Sequence, residues 1–562
     1  MKELIAEKIS NITGLSKEEI FFQIEIPPSR DLGDYALPCF FLTKSLNKSP
    51  SEISLFLSQK INKEKNLEYL FEKVESKGPY INFFIKPDFI LQQLIKKMSQ
   101  KKKKEKPKKE KIMVEFSQAN THKAFHIGHV RGTSLGESIS RIIEFCGNKV
   151  IRVNYQGDSG MHVAKWLWCY LKFHSNEPLK KSEEWIASIY VDAVKRLSEN
   201  NEFQKEVEEI NFKLEKRSDP FLNALWKKTR ELSLKSFEKI YKDLNTHFDY
   251  YFFESKLEKL AKIISSKLLK KGIAEMSEGA LIMDLKKFNL GVWVLLRKDG
   301  TVLYSAKDLA LAELKFRKFN IDKSIYVVGS SQRTHFNQLF KTLELMGFNK
   351  AKNCVYLPVT EVRLPTGKMS SRTGENVLYS SFKKELIEYA KNEIKKRDPL
   401  ISKKELENRA NKLAISSIKY AMLKQDINKT IVFNKEEALS FDGDSGPYIL
   451  YSYARARSIL RKAKFKINRL NSKRVSFNEN EKNLLILLNR FEETIDSAFN
   501  KLSPDIIANY TFSIAQNFNE FYHSNQVIGS DKESLRLFIV YTFSLVLKKS
   551  LFLLGIDVLE KM

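Results

Sequence analysis

Two short apolar runs separated by a loop and a helical pattern constrain the fold of this chain more than any other feature. The runs are Lys111-Ile112-Met113-Val114-Glu115-Phe116 and Val150-Ile151-Arg152-Val153-Asn154-Tyr155, and both have the composition of buried strands. Between them, apolar residues recur at helical spacing over residues 135–145. Strand, loop, helix and strand in this order begin a Rossmann-like, doubly wound α/β domain with a parallel sheet.

Other domains are predicted on both sides of this α/β unit. The N-terminal segment has a helix start at Ser49-Pro50-Ser51-Glu52 and an aromatic strand pattern at residues 80–84. Beyond residue 400, strand signals fade and helical periodicity continues to Met562. The predicted domains are an α+β domain at 1–96, a basic linker at 97–111, the α/β domain at 112–390 with a charged helical insertion at about 175–245, and an all-α domain at 391–562.

Short apolar runs predict three further strands of the α/β domain, at residues 301–304, 324–328 and 354–358. The most apolar stretch of the chain, residues 535–554, is interrupted by Arg536, Lys548 and Lys549. Because charges are rare within membrane-spanning helices, this stretch predicts a buried helix and no membrane span.

The net charge is strongly positive. Against 96 Lys and Arg there are 68 Asp and Glu, a formal charge of +28, which favours a polyanion such as nucleic acid as partner. A lysine-rich composition unrelated to binding explains the excess equally well, so charge alone decides nothing. The lysine run of the linker allows two interpretations, a solvated connector or a phosphate contact.

The four cysteines indicate the compartment. Cys39, Cys146, Cys169 and Cys354 are far apart and form no CxxC pair, so we expect neither a zinc ribbon nor a disulfide framework. Isolated cysteines are typical of a reducing cytosol, and the first residues contain charges and no hydrophobic signal segment. The expectation is a cytoplasmic protein with no zinc or other bound structural metal.

Two short motifs indicate the chemistry. His126-Ile127-Gly128-His129 lies between the first strand and the first helix, where a helix N-terminus offers unpaired N–H groups and Gly128 lets the backbone approach a phosphate. Lys368-Met369-Ser370-Ser371-Arg372 follows the turn Leu364-Pro365-Thr366-Gly367 and suits a mobile cationic loop over phosphates. Together the motifs predict a site for a nucleoside triphosphate.

These motifs resemble the HIGH and KMSKS signatures of class I aminoacyl-tRNA synthetases, and longer strings are similar to the arginyl-tRNA synthetase family. The similarity covers nearly the whole chain, from residues 24–36 to the C-terminus. The strings that carry it include Lys123-Ala124-Phe125-His126, Arg152-Val153-Asn154-Tyr155-Gln156-Gly157-Asp158, Asp299-Gly300-Thr301, Tyr304-Ser305-Ala306-Lys307-Asp308, Tyr326-Val327-Val328-Gly329 and Ser445-Gly446-Pro447-Tyr448. One departure is Ser371, which stands where the KMSKS pattern has its second lysine.

The resemblance implies an arginine–tRNA ligase and an arginine site. Glu115 and Asp308 would face the guanidinium, and a planar cation with several donors is well matched by two carboxylates. Asn120 would hold the α-ammonium or carboxylate, and Tyr304 and Gln332 would complete the pocket. Structural alternatives stay open: a helix cap for Asp308, a surface strand position for Glu115 and core packing for Tyr304.

The resemblance also implies how ATP is held. The implied catalytic residues are His126, His129, Lys123, Lys368 and Arg372. The implied ATP contacts are His126, Gly128, His129, His335, Lys368, Met369 and Ser370, with Mg²⁺ accompanying the nucleotide. Lys123, three residues before His126, could in part replace the charge missing at Ser371.

The implied partners are tRNA(Arg), L-arginine and ATP, with no membrane, and the expected state is a monomer. By resemblance, residues 1–96 contact the elbow of the tRNA and the C-terminal helices read its anticodon, as readers of single-stranded RNA do. Tyr448, Tyr451 and Arg455 are the candidate tRNA contacts, and Tyr453 is a further candidate for stacking on a base. For the tyrosines, packing within the helical bundle is an equally weighted alternative.

Two other functions fit the sequence less well. Another class I synthetase, such as the cysteine enzyme, is disfavoured because the chain lacks a zinc-ligand cluster and pairs Glu115 with Asp308. A tRNA-binding protein without catalysis is disfavoured because His126, His129 and Lys368 are intact.

The role of Lys123 yields a first prediction. Lys123→Ala removes a cation beside the phosphates and is expected to lower the rate of arginine activation tenfold or more, on the order of 1.4 kcal/mol of transition-state stabilisation. The measurement is ATP–pyrophosphate exchange. A rate within about twofold of the parent would contradict this role, since twofold is far below the effect expected of a phosphate contact.

Overall fold

The computed structural model describes residues 1–64, 67–99, 109–365, 367–368, 378–465 and 476–562. These residues form two compact units. The first comprises Met1–Lys104, Ile459–Glu492 and Gln516–Phe543, and the second comprises Glu105–Ser458, Glu493–Ala515 and Ser544–Met562.

The N-terminal part of the first unit combines helices with a small sheet. Its strands are β1 Tyr35–Pro38, β2 Phe71–Lys77 and β3 Tyr80–Ile85. Its helices are α1 Lys2–Thr13, α2 Lys17–Gln23, α3 Thr43–Leu46, α4 Pro50–Asn62 and α5 Pro87–Ser99. The sheet is antiparallel with the order β1-β3-β2. Helix α4 begins where predicted, because Ser49 and Glu52 form a reciprocal capping box and Pro50 takes the first helical position.

Beyond α5, strands and helices are interspersed until the sheets are complete, and helices then dominate. The strands are β4 Lys111–Glu115, β5 Lys149–Gln156, β6 Tyr250–Phe253, β7 Glu275–Ser277, β8 Ala280–Asp284, β9 Val292–Leu296, β10 Lys323–Gly329, β11 Cys354–Val359, β12 Val362–Leu364, β13 Gly367–Lys368 and β14 Ile431–Val432. The helices among them are α6 Ile127–Phe145, α7 Met161–Phe173, α8 Glu183–Glu199, α9 Phe203–Lys216, α10 Pro220–Asp243, α11 Glu258–Lys270, α12 Tyr304–Phe319 and α13 Arg333–Leu345. The later helices are α14 Tyr379–Arg397, α15 Lys403–Leu423, α16 Lys435–Leu439, α17 Gly446–Lys462, α18 Glu479–Asn489, α19 Phe491–Lys501, α20 Pro504–Ser524 and α21 Glu533–Leu553.

The centre of the second unit is a five-stranded sheet with the order β11-β10-β4-β5-β6, and every neighbouring pair is parallel. The chain moves outward from β4 through β5 to β6 and then returns to the other side of β4 with β10 and β11. This reversal leaves a crevice at the carboxyl ends of β4 and β10, where ligands bind in doubly wound folds. The predicted α/β fold class is confirmed.

Helix α6 follows β4 and begins at Ile127, eight residues before the predicted segment. Its start is fixed by His126 as the cap residue, a role that apolar periodicity does not reveal. Gly136 lies where the helix crosses the end of β4. A Cβ built there would lie 2.1 Å from a ring carbon of Phe116, so only glycine fits without a shift.

Four tryptophans organise the insertion between β5 and β6. Trp166, Trp168, Trp185 and Trp226 belong to one buried cluster formed by α7 to α10. The indole N–H of Trp226 donates to the backbone oxygen of Asp158 at 2.8 Å, which ties the insertion to the end of β5. The predicted helical character of residues 175–245 is confirmed by α8, α9 and α10.

The strands predicted at 324–328 and 354–358 are confirmed as β10 and β11, whereas the strand predicted at 301–304 is wrong. Val302 makes only an isolated bridge to Leu296 of β9, and Tyr304 is the first residue of α12. The predicted run thus contains the bridge residue Val302 and ends at the first residue of the helix, Tyr304. A run of this length does not distinguish strand from helix, because both bury a few consecutive apolar residues.

Helices dominate beyond residue 400, as predicted, with the two-residue strand β14 as an exception among the described residues. The apolar stretch at 535–554 corresponds to α21, in which Phe538, Ile539 and Val540 are buried. In the parts of the chain that the structure describes, no helix combines the length and the apolarity needed to cross a membrane.

Gly136 and Gly132 of α6 form a matched pair for a stability test. Gly136→Ala is expected to lower the free energy of unfolding by about 1–3 kcal/mol, because the added methyl overlaps Phe116. Gly132→Ala meets open space and should stabilise the helix by about 0.5–1 kcal/mol. Urea unfolding measures both changes. Equal effects of the two substitutions would contradict the close approach at Gly136.

Candidate active site

The loop between β4 and α6 has an unusual backbone. Ser117, Gln118 and His122 have positive φ values of 77°, 46° and 62°, a conformation that side-chain-bearing residues rarely adopt. Such strain persists only where surrounding contacts fix it. Here the buried ring of His122 supplies contacts, because its nitrogens lie 3.0 Å from the hydroxyl of Thr121 and 2.8 Å from that of Thr229 in α10.

The two histidines of the HIGH-like motif cap α6 reciprocally. The backbone N–H of Gly128 donates to Nδ1 of His126 at 3.1 Å, and the backbone N–H of His126 donates to Nδ1 of His129 at 3.2 Å. The ring centroids are 3.9 Å apart. Because each Nδ1 accepts a hydrogen bond, each neutral imidazole carries its proton on Nε2 and can donate it to an anion.

Burial keeps these imidazoles neutral. It lowers the pKa of His126 to about 4, with a smaller contribution from Lys123, and lowers the pKa of His129 well below its usual value. Burial likewise lowers the pKa of His122 to about 3 and that of His162 to about 4. The motif therefore offers neutral hydrogen-bond donors at neutral pH.

A cavity of about 560 Å³ lies between this motif and α8 of the insertion. One wall contains Asn120, Lys123, His126 and His129, and the other contains residues of α8 such as Tyr190, Val191 and Lys195. The ammonium of Lys123 lies 5.2 Å from the ring centroid of Tyr190, and burial lowers its pKa. Lys123, His126 and His129, predicted beside the phosphates, thus line one cavity together with Asn120, which was predicted to hold the α-ammonium or carboxylate of arginine.

Gly128 and Gly157 are close-approach positions around the same loop. A Cβ on Gly128 would lie 2.9 Å from the ring of His126. A Cβ on Gly157 would lie 2.2 Å from Oδ1 of Asn120, so the side chain of Asn120 packs on bare backbone at the end of β5. The sequence prediction singled out Gly128 and Asn120, while Gly157 appeared only within a matching string.

Glu115 and Asp308 both lie at the switch point of the sheet. Glu115 is the last residue of β4 and is 3% exposed, which excludes the surface alternative. Asp308 lies one turn into α12, whose cap residue is Leu303, which excludes the capping alternative. The pKa of Tyr155 is raised by burial first and then by the charges of Asp308, Glu254 and Glu115. Burial is also the main cause that raises the pKa of Tyr326, and the charges of Glu115 and Asp308 are among the smaller causes.

Each of the two carboxylates has a basic partner. The sequence did not single out the partner of Glu115, and the partner of Asp308 was predicted at another place in the site. Nζ of Lys315 lies 2.6 Å from Oε2 of Glu115 in a fully buried ion pair. Nε2 of His335, which was predicted beside ATP, lies 2.7 Å from Oδ2 of Asp308, and its Nδ1 accepts from the indole of Trp293 at 3.3 Å. Both ring nitrogens of His335 therefore already have hydrogen-bond partners, Asp308 and Trp293. The predicted contact of His335 to ATP stays a prediction.

Tyr304 and Gln332 are open to solvent. Tyr304 is 61% exposed, which excludes core packing, and its ring centroid lies 5.0 Å from that of His335. Gln332 is exposed at the end of the 3-10 turn that follows β10. Both side chains are thus open to a ligand.

The KMSKS-like motif lies almost wholly outside the described residues. Of Lys368 only the backbone is described, as part of the β12–β13 hairpin. Met369, Ser370, Ser371 and Arg372 lie outside the described residues.

The predicted tRNA contacts lie on α17 and are half-buried. Nη2 of Arg455 donates to the hydroxyl of Tyr451 at 2.8 Å, and the ring centroid of Tyr448 lies 5.7 Å from that of Phe512. Tyr453, by contrast, is 2% exposed and donates to Glu560, so it packs within the fold.

The insertion also contains a Cys–His–Asp group whose potential ligand atoms all lie within 4.8 Å of one another, Cys169, His174 and Asp192. Its centre is Oδ2 of Asp192, which accepts from Nε of Arg196 at 2.7 Å. A guanidinium thus already neutralises that carboxylate. The expectation of no bound metal stays a prediction.

Sequence comparisons match three domain families. Residues 90–435 match the catalytic domain of class I (R) tRNA synthetases, residues 449–562 the DALR anticodon binding domain, and residues 1–85 the arginyl tRNA synthetase N terminal domain. The chain is 37% identical to the arginine–tRNA ligase of Clostridium perfringens and 34% identical to that of Halothermothrix orenii, covering all of this chain and 100% and 99% of theirs.

Solved structures show the same architecture. The arginyl-tRNA synthetase of Thermus thermophilus superposes with a TM-score of 0.84 at 25% identity over the full length of both chains. That of Plasmodium falciparum matches in fold, with a TM-score of 0.82 at 23% identity over 99% of both chains.

Buried neutral histidines make stability sensitive to acid. The unfolded chain binds protons near pH 6.5 that folded His122, with a pKa of about 3, does not bind. This contribution is therefore complete above pH 6.5 and is lost as the pH falls toward 3. Between pH 7 and pH 5, His122 alone should reduce the free energy of unfolding by about 2 kcal/mol.

The test compares urea unfolding at the two pH values for the parent and for His122→Asn. The pH-dependent loss should be about 2 kcal/mol smaller in the variant. Glu183, whose pKa burial raises to about 7, acts in the opposite direction but equally in both proteins. His247→Asn, at a side chain that is 64% exposed, is the control and should leave the loss unchanged.

Proposed function

The chain belongs to the arginyl-tRNA synthetase family of class I aminoacyl-tRNA synthetases, and from this premise we propose that it ligates L-arginine to tRNA(Arg) for protein synthesis. In the first step arginine and ATP give arginyl-adenylate and pyrophosphate. In the second step arginine passes to the 3′-terminal adenosine of the tRNA and AMP is released. The observation that carries the proposal is the placement of two carboxylates, Glu115 and Asp308, at the switch point beside a loop of neutral histidine donors.

Arginine binds, in this proposal, with its guanidinium toward Glu115 and Asp308. A guanidinium presents its donors in a plane, and carboxylates accept two of them in parallel. Tyr304 and Gln332 close the pocket from the exposed side, and Asn120 holds the α-ammonium or carboxylate. The exposure of Tyr304 and Gln332 and the burial of Glu115 support this orientation, with the guanidinium of the substrate innermost.

ATP binds in the cavity beside His126 and His129. Their Nε2–H groups donate to phosphate oxygens, Lys123 adds positive charge, and the small Gly128 permits close backbone approach. Lys368, Met369, Ser370 and Arg372 are proposed to cover the leaving phosphates, and His335 is proposed near the nucleotide side of the arginine pocket. Mg²⁺ accompanying the nucleotide would neutralise part of the charge of the triphosphate, which the donors of His126, His129 and Lys123 would hold in the cavity.

No side chain needs to act as a nucleophile. A carboxylate oxygen of arginine attacks the α-phosphorus, the bond to the bridging oxygen breaks, and pyrophosphate leaves with the electron pair. In the second step a ribose hydroxyl of the tRNA attacks the carbonyl carbon, and AMP leaves. Alignment of the reactants and stabilisation of the negative charge on the phosphates account for such catalysis.

The tRNA is proposed to contact several domains. Residues 1–96 would contact its elbow, residues 391–562 its anticodon through Tyr448, Tyr451 and Arg455, and residues 112–390 its acceptor end. The linker at 97–111 and the net charge of +28 fit a polyanionic partner. A cytoplasmic monomer is the proposed state.

Amino-acid-dependent ATP–pyrophosphate exchange, run across the twenty amino acids with and without tRNA, tests the proposal. Exchange that depends on arginine and on no other amino acid supports the proposal. Exchange with cysteine or another amino acid assigns a different synthetase, and tRNA binding without exchange identifies a protein that has lost catalysis.

Asp308→Asn tests the arginine site. The substitution keeps the shape but removes the charge that faces the guanidinium, so the KM for arginine should rise at least tenfold, in line with about 1.5–3 kcal/mol for a charged hydrogen bond. The KM for ATP should stay within about twofold, because Asp308 does not line the cavity proposed for ATP. Glu313→Gln, on the same helix, is the control. An unchanged KM for arginine in the Asp308 variant would contradict the assignment.

A further inference from the structure

We propose that Lys315 and His335 are positioning residues that set the net charge of the arginine pocket to one negative unit and thereby select a singly charged side chain. The inference rests on the proposed function and deepens it. It concerns the partners of the two carboxylates, which in this chain differ in kind: one is a lysine and the other is an imidazole.

The partner of Glu115 is placed by the geometry of α12 and the sheet. Asp308 and Lys315 are seven residues apart, so they lie on the same face of the helix. The ammonium of Lys315 is fully buried, lies 2.6 Å from Oε2 of Glu115, and lies 3.9 Å from the ring centroid of Tyr326, the residue paired with Glu115 across the sheet. Lys315 therefore occupies one oxygen of Glu115 and turns the other, Oε1, toward Gln118 and the loop.

The hydrogen bonds around His335 fit an imidazole that carries a single proton, on Nε2. The indole N–H of Trp293 is a donor only, so Nδ1 of His335 must accept, and the proton of the imidazole resides on Nε2, facing Oδ2 of Asp308. A protonated imidazole would direct a second N–H against that indole N–H. Trp293 is 4% exposed and His335 9% exposed, so this arrangement is built into the core.

The partners of the neighbouring carboxylates show why it matters that Glu115 pairs with a lysine and Asp308 with an imidazole. Four carboxylates act on Tyr155: Asp308, Glu254, Glu115 and Asp158. Glu254 pairs with Lys307 at 2.8 Å, Asp158 with Arg230 at 2.7 Å, and Glu115 with Lys315 at 2.6 Å. Within this described group only Asp308 has a neutral partner, so one negative charge is left unmatched, at Asp308.

One unmatched negative charge suits one guanidinium. A buried charge is costly unless it is paired, so the pocket favours a ligand that brings one positive charge to Asp308. Citrulline has nearly the shape of arginine but no charge, and it would leave Asp308 unpaired. A second cation at the position of His335 would neutralise Asp308 without the substrate and would therefore weaken binding of the guanidinium.

The experiment compares His335→Gln with His335→Lys, which put a neutral donor and a cation of similar length at one position. Arginine KM and ATP KM are measured in aminoacylation, with citrulline as competitor. His335→Lys should raise the arginine KM at least tenfold above that of His335→Gln, while the ATP KM values of the two variants should agree within about twofold. An equal arginine KM in the two variants overturns the proposal.

Lys315 provides an independent arm if the lysine at position 335 prevents folding. Lys315→Met, Glu115→Gln and the double variant form a cycle. If Lys315 acts by orienting Glu115, Lys315→Met releases that carboxylate from the position fixed by the ion pair and raises the arginine KM at least tenfold, and the double variant is no worse than Glu115→Gln alone. Additive losses, or an equal rise of the ATP KM, overturn the positioning role. Absence of arginine-dependent exchange in the parent would refute the proposed function itself.

Discussion

The parallel pairing of β4 with β10 is the constraint on which the site depends. It joins the first strand of the α/β unit to one that lies more than 200 residues later, and its register sets Glu115 opposite Tyr326. The strand order reverses at this pair, so the carboxyl ends of β4 and β10 open into a crevice with no crossover covering them. The loop of histidines leaves from one strand, and the 3-10 turn with Gln332 leaves from the other. A phosphate-binding side and an amino-acid side are thus set next to each other by one row of backbone hydrogen bonds.

Much of this arrangement could be predicted from the sequence, because the decisive signals are local. Apolar runs indicated β4, β5, β10 and β11, and the place of His126 and His129 between a strand and a helical pattern put them at a helix start. The strand predicted at 301–304 failed because a four-residue apolar run is too short to carry a period. The assignment of Asp308 to the arginine site followed from a matching string, whereas its position on the first turns of α12 did not.

The residues that could not be identified from the sequence are those whose role depends on a partner far away along the chain. His122 contacts Thr229, and Lys315 contacts Glu115, at separations of 107 and 200 residues. Nothing in the local pattern around Lys315 distinguishes it from the many surface lysines of a chain with 96 basic residues. Its complete burial beside a carboxylate appears only once the helix is laid on the sheet. Buried charge is informative because it must be matched, but that matching is a three-dimensional property.

The reciprocal capping of α6 has a consequence for how catalysis could be lost in evolution without loss of the fold. In it, Nδ1 of each histidine serves the helix start, while Nε2 is left for the substrate. Asparagine is also a good cap, with a shorter reach. An asparagine at position 126 would therefore preserve the helix and the fold while withdrawing the group that reaches the phosphates. Architecture and chemistry are served by opposite edges of one ring, so a lineage could silence the reaction and keep an intact scaffold for other uses.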